Sequence, residues 1–202
     1  YTTTQTSPWV KQKVKPERVT TGAEIVLDPT LRLQLIMGIG GCFNEMGWDA
    51  LNALSAEDRE AVLQAIFGKD GACFDYCLPM GANDFALSFY SSADVAGDFN
   101  LVNFNIDRDR YILIPYIKAA RQINPDLRIW ASPWCPPPWM KTNNHYASAV
   151  RPSGEKDVNG LLPHEAIAEF STGFRMEEGY LKTYADYFAR FIKAYEAEGL
   201  PL

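Results

Sequence analysis

The residues of this chain best suited to chemistry are aromatic and acidic. The densest group is Ala131-Ser132-Pro133-Trp134-Cys135-Pro136-Pro137-Pro138-Trp139-Met140-Lys141, directly after the apolar run Leu127–Trp130. Proline removes an N–H and fixes φ, so this segment reads as a stiff loop leaving the end of a strand, presenting two indoles. An indole face packs on the C–H face of a pyranose, and its N–H can meet a hydroxyl. Sugar binding is therefore the chemistry such a loop offers. A loop that packs its own tryptophans inward is the plainer alternative.

Carboxylates supply the second kind of candidate. Asp84 lies in Gly81-Ala82-Asn83-Asp84-Phe85, a few residues after the run Cys73–Pro79, and Glu45 and Asp49 follow an earlier run. An acid just past a strand end can hold sugar hydroxyls, whereas a lone loop aspartate more often caps a turn. Asp84 is favoured because Trp134 holds the equivalent place after the neighbouring strand. The sequence does not show which way the Glu45 loop faces.

Other chemistries lack their residues. Gly38-x-Gly40-Gly41 has Phe43 where a dinucleotide fingerprint needs its third glycine, and the phosphate-loop lysine and hydroxyl are absent. No G-x-S-x-G elbow occurs, and His145 and His164 form no triad. Cys42, Cys73, Cys77 and Cys135 read as buried thiols. Cys73 and Cys77 would share a strand face about 13 Å apart, which excludes a disulfide between them. With two distant histidines, a zinc site is not expected.

Net charge is −6, so the basic face that nucleic acid requires is missing. No window of about 18 apolar residues exists to span a membrane. The polar start Tyr1–Pro8 carries no signal-peptide pattern and reads as a mature or trimmed terminus, leaving secretion open.

The elements that must position these groups follow from periodicity. Glu24–Leu27 and Leu31–Met37 flank an Asp28-Pro29 turn and read as a strand pair, broken by Gly38–Gly41. Ser55 and Asp58 form a capping box for a helix with Val62, Leu63, Ile66 and Phe67 on one stripe, ended by Gly68. Cys73–Pro79 is a strand, and a long loop follows to about Asn105. Tyr111–Ile123 is a helix with Pro115 near its first turn, and Leu127–Ala131 is the next strand. The last helix carries Tyr184, Tyr187, Phe188, Phe191 and Tyr195 at helical spacing and stops at Gly199. Strands alternate with helices, and the long loops follow strands. That is how an α/β barrel with eight βα units distributes its functional loops. Three units cannot close such a barrel, and a fourth strand is due at Leu200, so a fragment is expected.

Four segments stand in order: Gly38-Ile-Gly-Gly-Cys-Phe-Asn-Glu45, Pro79-Met-Gly-Ala-Asn-Asp-Phe85, Asn105-Ile-Asp-Arg-Asp109 leading to Ile114-Pro-Tyr-Ile-Lys118, and Ala131–Lys141. Together they resemble glycoside hydrolase family 30, which includes glucosylceramidases and β-1,6-glucanases. Gly-Gly-Cys-Phe-Asn-Glu-Met-Gly-Trp and Gly-Ala-Asn-Asp-Phe are closer to the β-1,6-glucanase branch. Cys135 stands where the family often has Ser or Thr.

The resemblance implies a retaining β-glycosidase on a (β/α)8 TIM barrel with an attached β-sandwich. Residues 1–37 would contribute in part to that side domain. Residues 38–202 would be the first three βα units, truncated before the fourth strand. Asp84 and Trp134 match residues of the cleaved-sugar subsite, with Phe85 beside them. Retaining hydrolysis uses two carboxyl groups about 5–5.5 Å apart. Both family carboxylates are expected beyond Leu202, and neither Glu45 nor Glu155 matches their positions, so no catalytic residue is assigned. No metal or cofactor is implied. The expected partner is a carbohydrate, a β-glucan or other glucoside, and the expected location is secreted, periplasmic or cell-surface. A glucosylated lipid or a xylan is the alternative substrate. A non-catalytic carbohydrate-binding half-barrel is the alternative of another class, although its third strand would leave an open edge.

Overall fold

Three short strands, β1 (Gly40–Cys42), β2 (Asp75–Met80) and β3 (Ile129–Pro133), form a parallel sheet in chain order. Gly40 pairs with Asp75 and Cys42 with Cys77, while Tyr76 pairs with Ile129 and Met80 with Pro133. Helices α1 (Glu45–Asn52) and α2 (Ala56–Phe67) cross from β1 to β2. Helices α3 (Asp107–Tyr111) and α4 (Leu113–Ile123) cross from β2 to β3, and α5 (Glu178–Ala197) follows β3. The computed structural model describes residues 3–7, 10, 11, 13, 22, 28–81, 85–150 and 159–202. Tyr1–Ile36 and Met37–Leu202 are separate units.

Two glycines sit inside β1, where the sequence reads as a break. A Cβ on Gly40 would collide with the Asp75 carbonyl, and one on Gly41 would lie 3.2 Å from the Tyr76 ring. Glycine here permits close approach of the neighbouring strand. The strand expected at Leu31–Met37 is not formed. Leu31 and Leu35 are 65% and 81% exposed, so the alternation has no described surface to bury against. Glu24–Leu27, its expected partner, lies outside the described residues.

Ser55 caps α2 as expected, its Oγ accepting from the Asp58 N–H at 3.0 Å, and Gly68 ends the helix. The helix read as Tyr111–Ile123 is instead split at Ile112. Pro115 has no N–H to offer the Tyr111 carbonyl, so the ladder is interrupted at that turn. Strand limits also shift by about two residues. Cys73 lies outside β2 with φ +50 and is exposed, contrary to the expectation of a buried thiol. Cys77 and Cys135 are buried, Cys42 is half-buried, and all four are free.

The core lies between the sheet and its helices. Phe43 packs on Tyr76 and Tyr116 at 4.8 and 4.9 Å between ring centroids, and Phe67 on Tyr76 at 4.8 Å. Trp48 of α1 stacks on Tyr116 of α4 at 5.1 Å. Tyr187, Phe191 and Tyr195 of α5 complete it, and Gly199 at φ +77 releases the chain from that helix. No helix among the described residues is long and apolar enough to cross a membrane.

Candidate functional site

The long connections leave the C-terminal ends of β2 and β3, and these ends are joined. The Trp134 N–H donates to the Met80 carbonyl at 3.3 Å, and the next residue of each strand is already in its loop. Gly81 adopts φ +81, and a Cβ there would lie 2.8 Å from the Cys135 carbonyl. A left-handed turn beside another backbone is a position for glycine. The chain therefore leaves β2 at Gly81 in contact with the start of the Trp/Pro loop.

The two indoles of that loop part company. Trp139 is buried, its Nε1–H donates to the Ala93 carbonyl at 2.9 Å, and its ring meets Phe99 edge-on at 5.3 Å. It anchors the loop and presents nothing, which corrects the expectation of two displayed tryptophans. Trp134 is 49% exposed beside the end of β2. Proline placement explains the split. Pro138 opens a single 3-10 turn, Pro138–Met140, which turns Trp139 inward, while Trp134 directly follows the extended Pro133.

Of the other expected site residues, Phe85 is 53% exposed, and its carbonyl accepts from the Met46 N–H at 3.0 Å. Asp84, with Ala82 and Asn83, lies outside the described residues, as does Glu155. Among the described residues, no three of His, Cys, Asp and Glu gather into a group that could hold a metal ion.

Beneath these loops lies a polar network that the sequence reading did not assign. Glu45, in the first turn of α1, is 1% exposed. Its two oxygens accept from Arg108 Nε and Nη2, each at 2.7 Å, and one also accepts from the Leu87 N–H at 2.7 Å. The Arg108 guanidinium lies 4.4 Å over the Tyr90 ring. Arg108 also donates to Ser88, from Nη1 to Oγ at 2.8 Å and from Nη2 to the carbonyl at 3.2 Å. Next to it, the buried Asp109 accepts from the Tyr90 and Tyr195 hydroxyls at 2.8 and 2.7 Å. Burial pushes the Asp109 carboxyl up to about 6, against the lowering effect of both tyrosine hydrogen bonds. Burial also raises both tyrosines, Tyr195 well above its ordinary value. The sequence signals for the network were the segments ending in Glu45 and Asp109, read apart and not as partners. Arg108 and Asp109 have partners 63 residues away at Glu45 and 86 away at Tyr195.

A second set of contacts fixes the loop after β3. Lys141 is buried, its Nζ donating to the Tyr146 carbonyl at 2.7 Å and to Ser148 Oγ at 3.1 Å. Tyr146 stacks on Phe89 at 5.2 Å and donates its hydroxyl to Asp94 at 2.9 Å. The two strand-end loops are thus tied to each other.

The chain that carries this site is similar to known proteins. The family model described as the glycosyl hydrolase family 30 TIM-barrel domain matches residues 36–202. A putative glucosylceramidase 4 of Caenorhabditis elegans is 30% identical over 184 residues, which is 90% of this chain and 32% of that protein. An endo-1,6-beta-D-glucanase of Neurospora crassa is 29% identical over 175 residues, 85% of this chain and 32% of the relative. The solved endo-beta1,6-glucanase BT3312 is 26% identical with a TM-score of 0.64, over 88% of this chain and 35% of that one. The chain spans about a third of the length of these relatives. With a family model covering more than half its residues, this chain belongs to glycosyl hydrolase family 30, within the TIM-barrel domain.

Proposed function

We propose that these residues form the sugar-holding side of a retaining β-glycosidase that cleaves β-linked glucosides, with β-1,6-glucan as its substrate. The observation that carries this reading is the half-exposed Trp134 at the C-terminal end of β3, hydrogen-bonded through its backbone to the end of β2. Functional residues of βα barrels collect at that end. Trp134 offers a face and an N–H to a pyranose, Asp84 accepts hydroxyl hydrogen bonds, and Phe85 borders them. The reacting pair of carboxylates is supplied outside residues 1–202. The first 37 residues contribute in part to a β-sandwich side domain. The enzyme acts outside the cytoplasm, where its polymer substrate is found.

The curated relatives named as glucosylceramidases match this chain about as well as those named as glucanases. Glucosylceramide is therefore the competing substrate. The test is sugar release by the full-length protein from β-1,6-glucan, glucosylceramide and β-xylan, with Trp134→Ala as the site variant. The reading expects fastest release from β-1,6-glucan, and a loss in kcat/KM of about tenfold or more in the variant. Faster turnover of glucosylceramide would replace the substrate. Unchanged kcat/KM in the variant would remove Trp134 from the site.

A further inference from the structure

We propose that Glu45 and Arg108 are positioning residues, a buried clamp that sets Phe85 in the loop after β2; this rests on the functional reading above. The loop leaves β2 at Met80, and its far side, Phe85 to Ser88, is held from below. Met46 N–H meets the Phe85 carbonyl and Glu45 meets the Leu87 N–H. Arg108 takes both the hydroxyl and the carbonyl of Ser88. Phe85, Leu87 and Ser88 are thereby fixed to α1 and α3.

The chemistry of the pair suits this task. A two-point guanidinium–carboxylate fork fixes orientation as well as distance, which a single lysine ammonium cannot do. At 1% exposure Glu45 must be paired, and all of its described hydrogen bonds go to Arg108 or the loop. A stabilising pair alone would have no need to spend a carboxylate oxygen and two guanidinium nitrogens on loop backbone and Ser88. Tyr90, stacked under Arg108 and bonded to Asp109, holds the fork from the other side.

The test is a double-mutant cycle on kcat/KM for a β-glucoside, with full-length protein. Glu45→Gln keeps shape and removes the charge. If the clamp acts through the loop, Glu45→Gln lowers kcat/KM by about 10- to 100-fold in the wild-type background, the scale of an ångström's misplacement. It lowers it by less than about threefold in the Phe85→Ala background, because the side chain being positioned is already gone. Equal losses in both backgrounds would overturn the clamp while leaving the sugar site intact. Wild-type kcat/KM in Phe85→Ala itself would remove Phe85 from the site and the clamp's purpose with it. Ser88→Ala, on an exposed residue, removes one clamp contact without burying a lone charge. It should lower kcat/KM a few-fold in wild type and not at all with Phe85→Ala, and no loss in either background would also contradict the clamp.

Discussion

At the scale of the residue, Asp109 has the clearest measurable consequence. Its carboxyl sits near 6 in the folded protein because burial penalises its charge, assisted by Glu45 and opposed by Tyr195, Tyr90 and Arg108. The ordinary value is 3.8. A folded value above the unfolded one gives stabilisation that is complete below pH 3.8 and is lost as pH rises through 6. The size is about 3 kcal/mol at most, since two-odd pK units separate the states. Asp109→Asn cannot titrate. Urea unfolding at pH 4.5 and 7.5 should show wild type losing stability relative to this variant at the higher pH. A difference that stays constant with pH would contradict the account. Residues of this kind were the least legible in the sequence. Trp134 could be singled out by its place at the strand end, but the burial of Trp139 was not legible, since its partners Ala93 and Phe99 are distant in the chain. Glu45 gave no sign of its role because its partners are distant in the chain.

At the scale of the element, local signals worked where the determinants were local. The Ser55 cap and the αL glycine after α5 are short-range physics, and both appear where the sequence put them, although the Asp58 carboxylate accepts from the Ser55 hydroxyl rather than closing the box on the Ser55 N–H. Helix α1 was missed, although Asn44 caps it by accepting from the Gly47 N–H at 2.7 Å and Glu45 opens its first turn. Gly47 and the preceding glycines masked that start. Strand β1 was missed for a related reason: its glycines are selected by the close approach of β2, which no window of sequence displays. The alternating leucines before Met37 misled in the opposite direction, since alternation without a surface to cover forms no strand. Helix α2 gives the sharpest test of packing. Phe67 is fully buried against Phe43 and Tyr76, so Phe67→Ala should cost about 3–5 kcal/mol in urea unfolding of the full-length protein. A cost below about 1 kcal/mol would mean that α2 does not depend on this aromatic cluster.

At the scale of the whole molecule, the βα order and the length asymmetry of the loops were legible together. The connections after β2 and β3 run over residues 81–106 and 134–177, while those after α2 and α4 cover only 68–74 and 124–128. The polar network beneath the long side ties it to α1, α3 and α5. Helices cover one face of the sheet, yet Trp130 of β3 remains half exposed. Parallel sheets are ordinarily buried on both faces. Trp130 departs from that rule, and the chain spans about a third of the length of the relatives it matches.

The most direct measurement is the anomeric configuration of the first sugar released from β-1,6-glucan by the full-length protein, followed by proton NMR before mutarotation. A double displacement on a β-glucoside predicts the β-anomer as the initial product. Initial appearance of the α-anomer, or no release from any β-glucoside, would contradict the account.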